Sequence, residues 1–587
     1  MSEGQKTAIA KSFLDAYAKL PKPDQQRMSE FLLQFFSAPD RSDWEQMDAC
    51  AWLAPIRDTL AAVVEEQDDA LVLVWVMQRG AGDWKAERAE KERQQAAKDP
   101  APLHFVEGAE DLRYVLAWPL DQWRVFLHPL QESIVAKDYS GPARVLGGAG
   151  TGKTVVAMHR ARRLASQLKE GKVLFTTFTA NLAADIQENL RKICTRDELA
   201  RIEVVHIDTW AAAFLRRAGY PARILYDPAL LRDIWEHAIA EAAAEELGQD
   251  AGFFAEEWHR VALPQHALTE QAYLRASRAG RGVALTRAKR KMVWQVFSAY
   301  QRQMKARGLR DADWAMEEAR TIIEQEPQDG LYPHVIVDEA QDLSPVAMRL
   351  LRSLAGAEHK NDIFLAGDAH QRIYHRKVVL KHCGIRIQGR SSILRLNYRT
   401  TEETLTYAMA LLRGLSFDDL DGGMLADDSS TSLLHGERPH VQLFRTAQEE
   451  IAAIQKEIRA LTQRGVALQD ICVTARSHAR LASYREALAP LFPCYEIRRR
   501  EPEDRHKDGL RLATMHRVKG LEFPYVFLCG ASAGILPPKS VEALTDPVVR
   551  EEAMTSERCL LYVALTRAQR KAYLFGVGTW SPFIKNA

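Results

Sequence analysis

A glycine-rich segment with the sequence GGAGTGKT carries the residue types that bind phosphate groups. It fits the pattern G-x-x-x-x-G-K-[ST], in which the backbone N–H groups of a tight loop point toward the phosphates of a nucleotide. Lys153 is predicted to reach the β- and γ-phosphates, and the Thr154 hydroxyl is predicted to bind Mg²⁺. The predicted nucleotide cradle consists of Gly147, Gly148, Ala149, Gly150, Thr151, Gly152, Lys153 and Thr154.

Two carboxylates follow the apolar run Val335 to Val337. Ligands of an open α/β sheet bind at the carboxyl ends of its strands, so Asp338 and Glu339 are expected to face the nucleotide. Asp338 is predicted to lie in the Mg²⁺ shell, and Glu339 to act as the general base for the attacking water. Together with the phosphate loop, this pair predicts hydrolysis of the nucleotide and not only its binding.

The elements around these segments predict a layered α/β fold. A strand-like run precedes the phosphate loop at Ala143 to Leu146, and a helix-like run, Val155 to Leu164, follows it. Apolar runs typical of buried parallel strands are Val173 to Phe175, Val335 to Val337, Ile363 to Ala366, Ile471 to Thr474 and Tyr525 to Leu528. One helix is predicted with Asp227 as its cap, Pro228 in its first turn and Gly248 at its end.

Six further segments occur in chain order, and they are HPLQ (ending at Gln131), TTFTA (176–180), GDAHQRIY (367–374), LNYR (396–399), TMHRVKGLEF (514–523) and YVALTRA (562–568). With the two segments above, they resemble the motifs of superfamily 1 helicases of the UvrD/Rep kind over roughly residues 125–570. The resemblance implies two RecA-like P-loop motor lobes that hydrolyse ATP with Mg²⁺ while moving 3′ to 5′ on single-stranded DNA. Whether the chain also unwinds duplex is left open.

The resemblance also implies roles for individual residues. Gln131 would read the adenine, Glu522 would contact the ribose, and Gln371 would sense the γ-phosphate. Arg399 and Arg567 would act as arginine fingers, which stabilise charge on the γ-phosphate. The residues implied to contact DNA are Phe178, Thr179 and His516.

Charge and composition predict the domain organisation. The net charge of +1 conceals an acidic first part, because residues 1–130 hold 15 basic and 22 acidic side chains. A charged, apolar-poor run from Lys85 to Lys98 predicts a linker. The predicted parts are a small α+β domain at 1–84, a linker at 85–103, a first motor lobe at 104–390 with a helical, basic accessory insertion at about 185–320, and a second motor lobe at 391–587.

The first part is predicted to contain two helices and a small sheet. The apolar residues at helical spacing are Phe13, Leu14, Tyr17 and Leu20, then Met28, Phe31, Leu32 and Phe35. Ala61 to Val64 and Leu71 to Val76 are predicted strands, with a turn from Glu65 to Asp69. This pattern resembles RelE/ParE-type toxin folds, and its acidic character favours a protein-docking module over an RNA-cleaving one.

The predicted insertion contains a run from Gln271 to Arg310 with 11 basic residues and no acidic one. Such a run predicts contact with a nucleic-acid backbone through Arg275, Arg278, Arg281, Arg287, Lys289, Arg290 and Lys291. The spacing of Trp294, Phe297 and Tyr300 predicts instead the buried face of a helix. Only about a dozen residues, 498–510, lie where the family carries a second accessory domain, so that domain is predicted to be absent.

Composition excludes other classes of protein. The longest apolar run, Ala70 to Met77, is far shorter than the ~20 residues of a spanning helix. The seven cysteines form no C-x-x-C pair, which predicts a reducing cytoplasm and no disulfide framework. Two alternatives to a helicase remain: a DNA-stimulated ATPase switch in a repair or phage-defence complex, and an RNA-directed toxin fused to a motor.

Overall fold

The computed structural model describes residues 6–9, 31, 43–46, 51–56, 60–67, 70–78, 104–106, 127, 129–325, 330–374, 378–419, 421–423, 430–432, 434–498, 503–504 and 507–584. The chain divides into two compact units, Met1–Ile134 and Val135–Ala587. The two predicted N-terminal helices, apart from Phe31, and the predicted charged linker lie outside the described residues. The domain boundaries at 84, 103 and 390 stay predictions.

The described strands and helices are numbered here in chain order. The strands are β1 Lys6–Ile9, β2 Glu45–Gln46, β3 Ala51–Pro55, β4 Leu60–Gln67, β5 Ala70–Gln78, β6 His104–Val106, β7 Ala143–Gly147, β8 Val173–Thr177, β9 Ile202–His206, β10 Arg223–Ile224, β11 Leu309–Arg310, β12 His334–Val337, β13 Ile363–Gly367, β14 Ser391–Leu394, β15 Leu396–Asn397, β16 Thr431–Ser432, β17 His440–Phe444, β18 Ile471–Ala475, β19 Cys494–Glu496, β20 Leu510–Thr514, β21 Phe523–Leu528 and β22 Ala568–Val577. The helices are α1 Pro129–Ala136, α2 Lys153–Gln167, α3 Ala180–Ile193, α4 Arg196–Ala200, α5 Ile207–Arg217, α6 Pro228–Glu241, α7 Ala251–Glu257, α8 Glu270–Arg275, α9 Arg287–Ala306, α10 Ala312–Gln325, α11 Pro345–Ala355, α12 Glu402–Leu411, α13 Ala447–Gln463, α14 His478–Leu488, α15 Lys539–Glu542 and α16 Pro547–Leu565. Among the residues described, no helix is long and apolar enough to cross a membrane.

The first unit contains a mixed sheet with the strand order β2-β3-β4-β5-β1-β6. The predicted strands at Ala61 to Val64 and Leu71 to Val76 are confirmed as parts of β4 and β5. The predicted turn from Glu65 to Asp69 is too long, because strand pairing continues until Gln67 lies opposite Ala70. Antiparallel pairing satisfies the backbone groups of the two glutamates, so they remain in the strand.

The second unit contains two parallel six-stranded sheets, each with helices packed around it, which confirms the predicted pair of RecA-like lobes. The first lobe has the order β14-β7-β13-β12-β8-β9, and the second has β17-β22-β21-β18-β20-β19. All five predicted buried strands are confirmed, as β8, β12, β13, β18 and β21. The first-lobe sheet also includes β14, so it continues four residues beyond position 390. Parallel pairing places the carboxyl ends of β7, β8, β12 and β13 at one edge, where the motifs follow.

Helices α5 to α10 form an insertion between β9 and β12 of the first lobe. Its core is aromatic: Trp235 and Tyr300 stack with ring centroids 3.7 Å apart, and Trp258 packs edge-on against Phe297 at 5.1 Å. Phe297 and Tyr300 are fully buried and Trp294 is half-buried, so the predicted buried face of α9 is confirmed. The helices of the insertion are therefore held together by ring packing.

Helix α6 is shorter than its predicted extent. Asp227 caps it by accepting a hydrogen bond from the Ala229 N–H at 2.9 Å, as expected. The helix ends at Glu241 and not at Gly248, because Ala243 adopts a left-handed conformation with φ 46°. A left-handed residue cannot continue a right-handed helix, and Gly248 instead ends a separate 3₁₀ turn, Glu245–Leu247.

A buried group of ion pairs joins the insertion to the second lobe. The fully buried carboxylate of Glu257 accepts from Arg278 Nε at 2.6 Å and from Arg281 Nε at 2.9 Å. Arg281, whose side chain is only 1% exposed, also lies 3.7 Å from Asp546 Oδ2 at the start of α16. The Gly282 N–H donates to the same carboxylate at 3.3 Å. We call these residues, Glu257, Arg278, Arg281, Gly282 and Asp546, the Glu257 cluster. A buried charge is tolerated when it is paired, and here the pairing partners lie on two different lobes.

Candidate active site

The phosphate loop connects β7 to α2 in a conformation that needs glycine. Gly150 and Gly152 have φ of 73° and 83°, in the left-handed region that residues with a Cβ rarely adopt. A Cβ on Gly150 would also lie 2.4 Å from Asn397 Oδ1, closer than van der Waals contact allows. The loop is therefore packed tightly against the LNYR segment.

Lys153 and Thr154 begin α2, and each lies near a carboxylate. Lys153 Nζ donates to the carbonyl oxygens of Gly147 and Gly148, each at 2.8 Å, and lies 3.7 Å from Asp368 Oδ2. Thr154 Oγ1 donates to Asp338 Oδ2 at 2.7 Å. The fold thus brings together the predicted phosphate cation and both predicted metal ligands.

The pKa values of the two carboxylates after β12 are shifted in opposite directions. Burial, together with the neighbouring charge of Glu339, raises the pKa of Asp338. Burial opposes ionisation of Glu339 as well, but Lys519, Lys153 and Arg567 lower its pKa below the usual value. Glu339 also has a φ of 53°, a strained conformation of the kind found at functional sites. The site therefore holds Glu339 as a carboxylate that can accept a proton.

The Thr154 hydroxyl and the Asp338 carboxylate fit a Mg²⁺ ion. Both are oxygen donors, which Mg²⁺ prefers, and their hydrogen bond shows that they are close enough to share one ion. In the part of the chain that the structure describes, no group of three or more His, Cys, Asp or Glu side chains could hold a metal by itself. The remaining ligands would have to be nucleotide oxygens and water.

Gln371 connects the two lobes beside the phosphate loop. Its Nε2 donates to Asp368 Oδ2 at 2.7 Å, and its Oε1 accepts from Arg567 Nη2 of the second lobe at 3.2 Å. Burial opposes ionisation of Asp368, but Lys153 and the hydrogen bond from His370 lower its pKa to about 2. The predicted γ-phosphate sensor and one predicted arginine finger are thus in contact.

The second predicted finger, Arg399, forms an ion pair with Glu522, the residue predicted for the ribose. Asn397 fixes the backbone that carries Arg399, because its Oδ1 accepts from the N–H groups of Arg399 at 2.8 Å and Thr400 at 3.0 Å. Its Nδ2 donates to the Ala149 carbonyl of the phosphate loop at 2.8 Å. Asn397 therefore fixes the position of Arg399 relative to the phosphate loop.

Lys519 is a further contact between the lobes that the sequence did not single out. Its Nζ donates to Asp342 Oδ2 and, at 2.7 Å, to the Gln371 carbonyl, and it lies 3.4 Å from Glu339 Oε2. Burial would lower the pKa of Lys519, but Asp342 and Glu339 raise it above the usual value. Lys519 and Asn397 both lie inside recognised motifs, and that position was the only signal available in the sequence.

Phe178 and His516, both predicted to contact DNA, lie near the ring of Tyr374, which was not predicted, at a second point between the lobes. Phe178 and Tyr374 have ring centroids 4.5 Å apart, and Tyr374 lies 6.1 Å from the ring of His516. Thr179 caps α3 by accepting from the Leu182 N–H at 3.2 Å, which accounts for its position structurally. Aromatic side chains in this arrangement can stack with unpaired bases.

Comparison with known proteins agrees with this geometry. Residues 127–377 match the UvrD/REP helicase N-terminal domain. Residues 479–576 match the UvrD-like helicase C-terminal domain. The chain belongs to the UvrD/Rep-type helicase family. It is accordingly an enzyme of the ATP-dependent helicase type.

Several curated relatives are similar over most of this chain. ATP-dependent DNA helicase UvrD2 of Mycobacterium tuberculosis is 25% identical over 556 residues, covering 73% of this chain and 75% of the relative. DNA helicase IV of Escherichia coli is 24% identical over 486 residues, covering 75% and 67%. ATP-dependent DNA helicase PcrA of Staphylococcus aureus is 24% identical over 370 residues, covering 60% of this chain and 48% of PcrA.

The fold gives the seven cations predicted to contact nucleic acid in this UvrD/Rep-type chain two different surroundings. Arg275, Arg287, Lys289 and Lys291 are exposed, and their contact with nucleic acid stays a prediction. Arg278, Arg281 and Arg290 bind other groups of the protein and are not free to bind phosphates. This corrects the expectation that all seven cations face a polyanion. Arg278 and Arg281 bind Glu257, and Arg290 donates to the carbonyls of Tyr273 and Ala276. Their charge is used to pair a buried carboxylate and to cap α8.

Gln131, predicted to read the adenine, is buried in α1. Its contact with the base stays a prediction, as do the individual roles of the other site residues.

Proposed function

We propose that this chain is an ATP-driven motor that moves along single-stranded DNA. The observation that carries the proposal is the meeting of the lobes at the phosphate loop. There, Gln371 of the first lobe contacts Arg567 of the second at 3.2 Å, and Lys519 of the second lobe lies 3.4 Å from Glu339. A site shared between two lobes can couple the state of a nucleotide to the distance between them.

Hydrolysis follows from the chemistry of the site residues. The loop N–H groups and Lys153 bind the phosphates, which places the γ-phosphorus near Glu339. The Glu339 carboxylate takes a proton from a water as the water oxygen bonds to the γ-phosphorus. The bond from that phosphorus to the bridging oxygen breaks, its electron pair leaves with ADP, and inorganic phosphate is released. Mg²⁺ held by Thr154 and Asp338 would supply positive charge at the phosphates.

The second lobe contributes the charge that hydrolysis demands. Arg399 and Arg567 lie at the junction between the lobes, where a guanidinium can stabilise negative charge that develops on the γ-phosphate. Arg399 forms an ion pair with Glu522 in this structure. We propose that ATP draws Arg399 to the phosphate and leaves Glu522 for the ribose. Product release would then loosen the lobes and allow one step along the strand.

Single-stranded DNA is the partner that the remaining features favour. Phe178, Tyr374 and His516 form an aromatic group at the lobe junction, and four exposed cations lie on the insertion. Stacking and phosphate neutralisation are the two interactions by which proteins hold a single strand without reading its sequence. The relatives are named DNA helicases, which supports DNA over RNA. Movement from 3′ to 5′ is proposed from the resemblance of the motifs alone.

One observation favours a motor that translocates without strong unwinding. Strands β19 and β20 are adjacent and parallel, and only residues 497–509 connect them, where the family carries a second accessory domain. The N-terminal unit, with its sheet and its RelE/ParE-type resemblance, is proposed to dock this motor onto a protein partner. A role in repair or phage defence would follow from that partner.

The test measures ATP hydrolysis and strand displacement with the full chain. We expect single-stranded DNA, and not an equal concentration of RNA, to stimulate hydrolysis. Lys153→Ala should abolish turnover, and Glu339→Gln should keep ATP binding while turnover falls about 10²- to 10⁴-fold, the usual contribution of a general base. Duplexes with a 3′ or a 5′ tail determine direction and unwinding. Hydrolysis by the wild type that DNA does not stimulate would refute the motor, and undiminished turnover in Glu339→Gln would remove that residue as the base.

A further inference from the structure

Lys519 belongs to the second lobe by sequence but lies among oxygens of the first. It follows β20 in the chain, and its ammonium group contacts Asp342, the Gln371 carbonyl and Glu339. Its side chain is only 4% exposed. Gly520 beside it has a φ of 81°, and a Cβ there would touch Leu182 of α3 at 3.4 Å, so the whole loop rests against the first lobe.

The partners of Lys519 are residues of the reaction and its immediate support. Glu339 is the proposed base and Gln371 the proposed phosphate sensor, whereas Asp342 lies on the turn that directly follows the base. A lysine ammonium has three donors on a flexible stem, so Lys519 can hydrogen-bond to Asp342 and the Gln371 carbonyl while its charge attracts Glu339 Oε2. The same oxygen of Glu339 also accepts a hydrogen bond from Gln341 Nε2 of the first lobe. If the second lobe withdrew, these oxygens would lose their common cation together.

We propose that Lys519 is a positioning residue that holds the carboxylate of Glu339 in its working orientation only while the two lobes are closed. Hydrolysis would then depend on lobe closure twice, once through the arginines that reach the phosphate and once through the lysine that orients the base. This inference rests on the proposed ATPase function. The competing interpretation is a buried ion pair between Lys519 and Asp342 that only stabilises the fold.

Four variants of the full chain separate the two interpretations: Lys519→Met, Asp342→Asn, the double variant, and Lys571→Met as control. Lys571 is also a second-lobe lysine paired with a carboxylate, that of the exposed residue Glu437, and it lies on β22 three residues after the YVALTRA motif. Each variant is assayed for thermal melting, for the KM of ATP and for kcat with single-stranded DNA and Mg²⁺. The double variant removes both buried charges, so it can fold even if Lys519→Met alone leaves Asp342 unpaired and does not.

A positioning role predicts that kcat falls about 100-fold in Lys519→Met and in the double variant, with the KM of ATP changed by less than about threefold. Asp342→Asn should retain kcat within about tenfold, because Lys519 still reaches Glu339. A structural ion pair predicts the reverse pattern, in which the double variant recovers both melting temperature and kcat; that result would overturn the proposal. So would a Lys519→Met kcat equal to that of Lys571→Met. An inactive wild type would refute the ATPase function itself. An active wild type, combined with either of the two opposing results above, would refute only the role of Lys519.

Discussion

Replacement of Asn397 by alanine tests whether the LNYR segment and the phosphate loop act as one unit. The change removes three hydrogen bonds, to the Ala149 carbonyl and from the N–H groups of Arg399 and Thr400. Two of these groups are fully buried, and a buried group left without a partner costs about 1–3 kcal/mol. The expected loss is therefore about 2–6 kcal/mol. If this loss raises the activation free energy, because Arg399 is no longer held, kcat drops about 30-fold to 3 × 10⁴-fold.

The matched control is Asn361→Ala. Asn361 also makes three side-chain hydrogen bonds, accepting from Tyr139 N–H at 2.8 Å and Arg160 Nη2 at 2.9 Å, and donating to Asp138 at 3.1 Å. It lies just before the amino end of β13, whereas the motifs follow the carboxyl ends of the strands. We expect both variants to melt at lower temperature and only Asn397→Ala to lose ATP turnover per folded molecule. Equal, unchanged turnover in the two variants would refute the coupling and leave Asn397 as a structural residue.

Three other perturbations have defined outcomes. Gly150→Ala forces a side chain into a left-handed position 2.4 Å from Asn397 Oδ1, and since that conformation costs about 1–2 kcal/mol, ATP affinity measured by fluorescence titration should fall about tenfold or more. Changing Arg287, Lys289 and Lys291 to Glu should weaken single-strand binding and reduce the salt slope of the affinity by about 2, whereas Arg281→Gln should lower the melting temperature with little change in that slope. Deletion of residues 1–98 should remove the proposed docking module and leave a folded, DNA-stimulated ATPase; a truncated chain that is insoluble or inactive would show that the boundary is misplaced.

The sequence was sufficient to predict those parts of the site in which the functional residues directly follow a recognisable strand or loop. The apolar strands end at the motifs because carboxyl ends of parallel strands must meet at one edge, so Lys153, Thr154, Asp338 and Glu339 could be placed together before the fold was known. The phosphate loop is similarly local, since its glycines and the following helix are contiguous in the chain.

Long-range pairing could not be read from local composition. The basic run predicted seven equivalent cations. Two of them, Arg278 and Arg281, instead bind Glu257, which lies 21 residues before Arg278 in the chain. Lys519 and Asp342 are 177 residues apart, and Asn397 and Ala149 are 248 apart, so no window of sequence contains either contact. The early end of α6 depends on the single left-handed residue Ala243. Alanine is a good helix former, so its presence in the sequence does not predict that the helix ends there.

The Glu257 cluster changes how the two lobes can move. The insertion is continuous with the first lobe at β9 and β12, and it is fastened to the second lobe through Arg281, Gly282 and Asp546. It thus acts as a strut across the cleft, and the lobes cannot swing apart as a free hinge. Opening must either break the ion pairs that Arg281 and Arg260 of the insertion form with Asp546 and Glu552 or move the helical insertion, with its exposed cations, together with the second lobe. In the motor proposed above, this strut would limit how far the lobes separate in one step, and spin labels on the two lobes should separate further in Asp546→Asn than in the wild type.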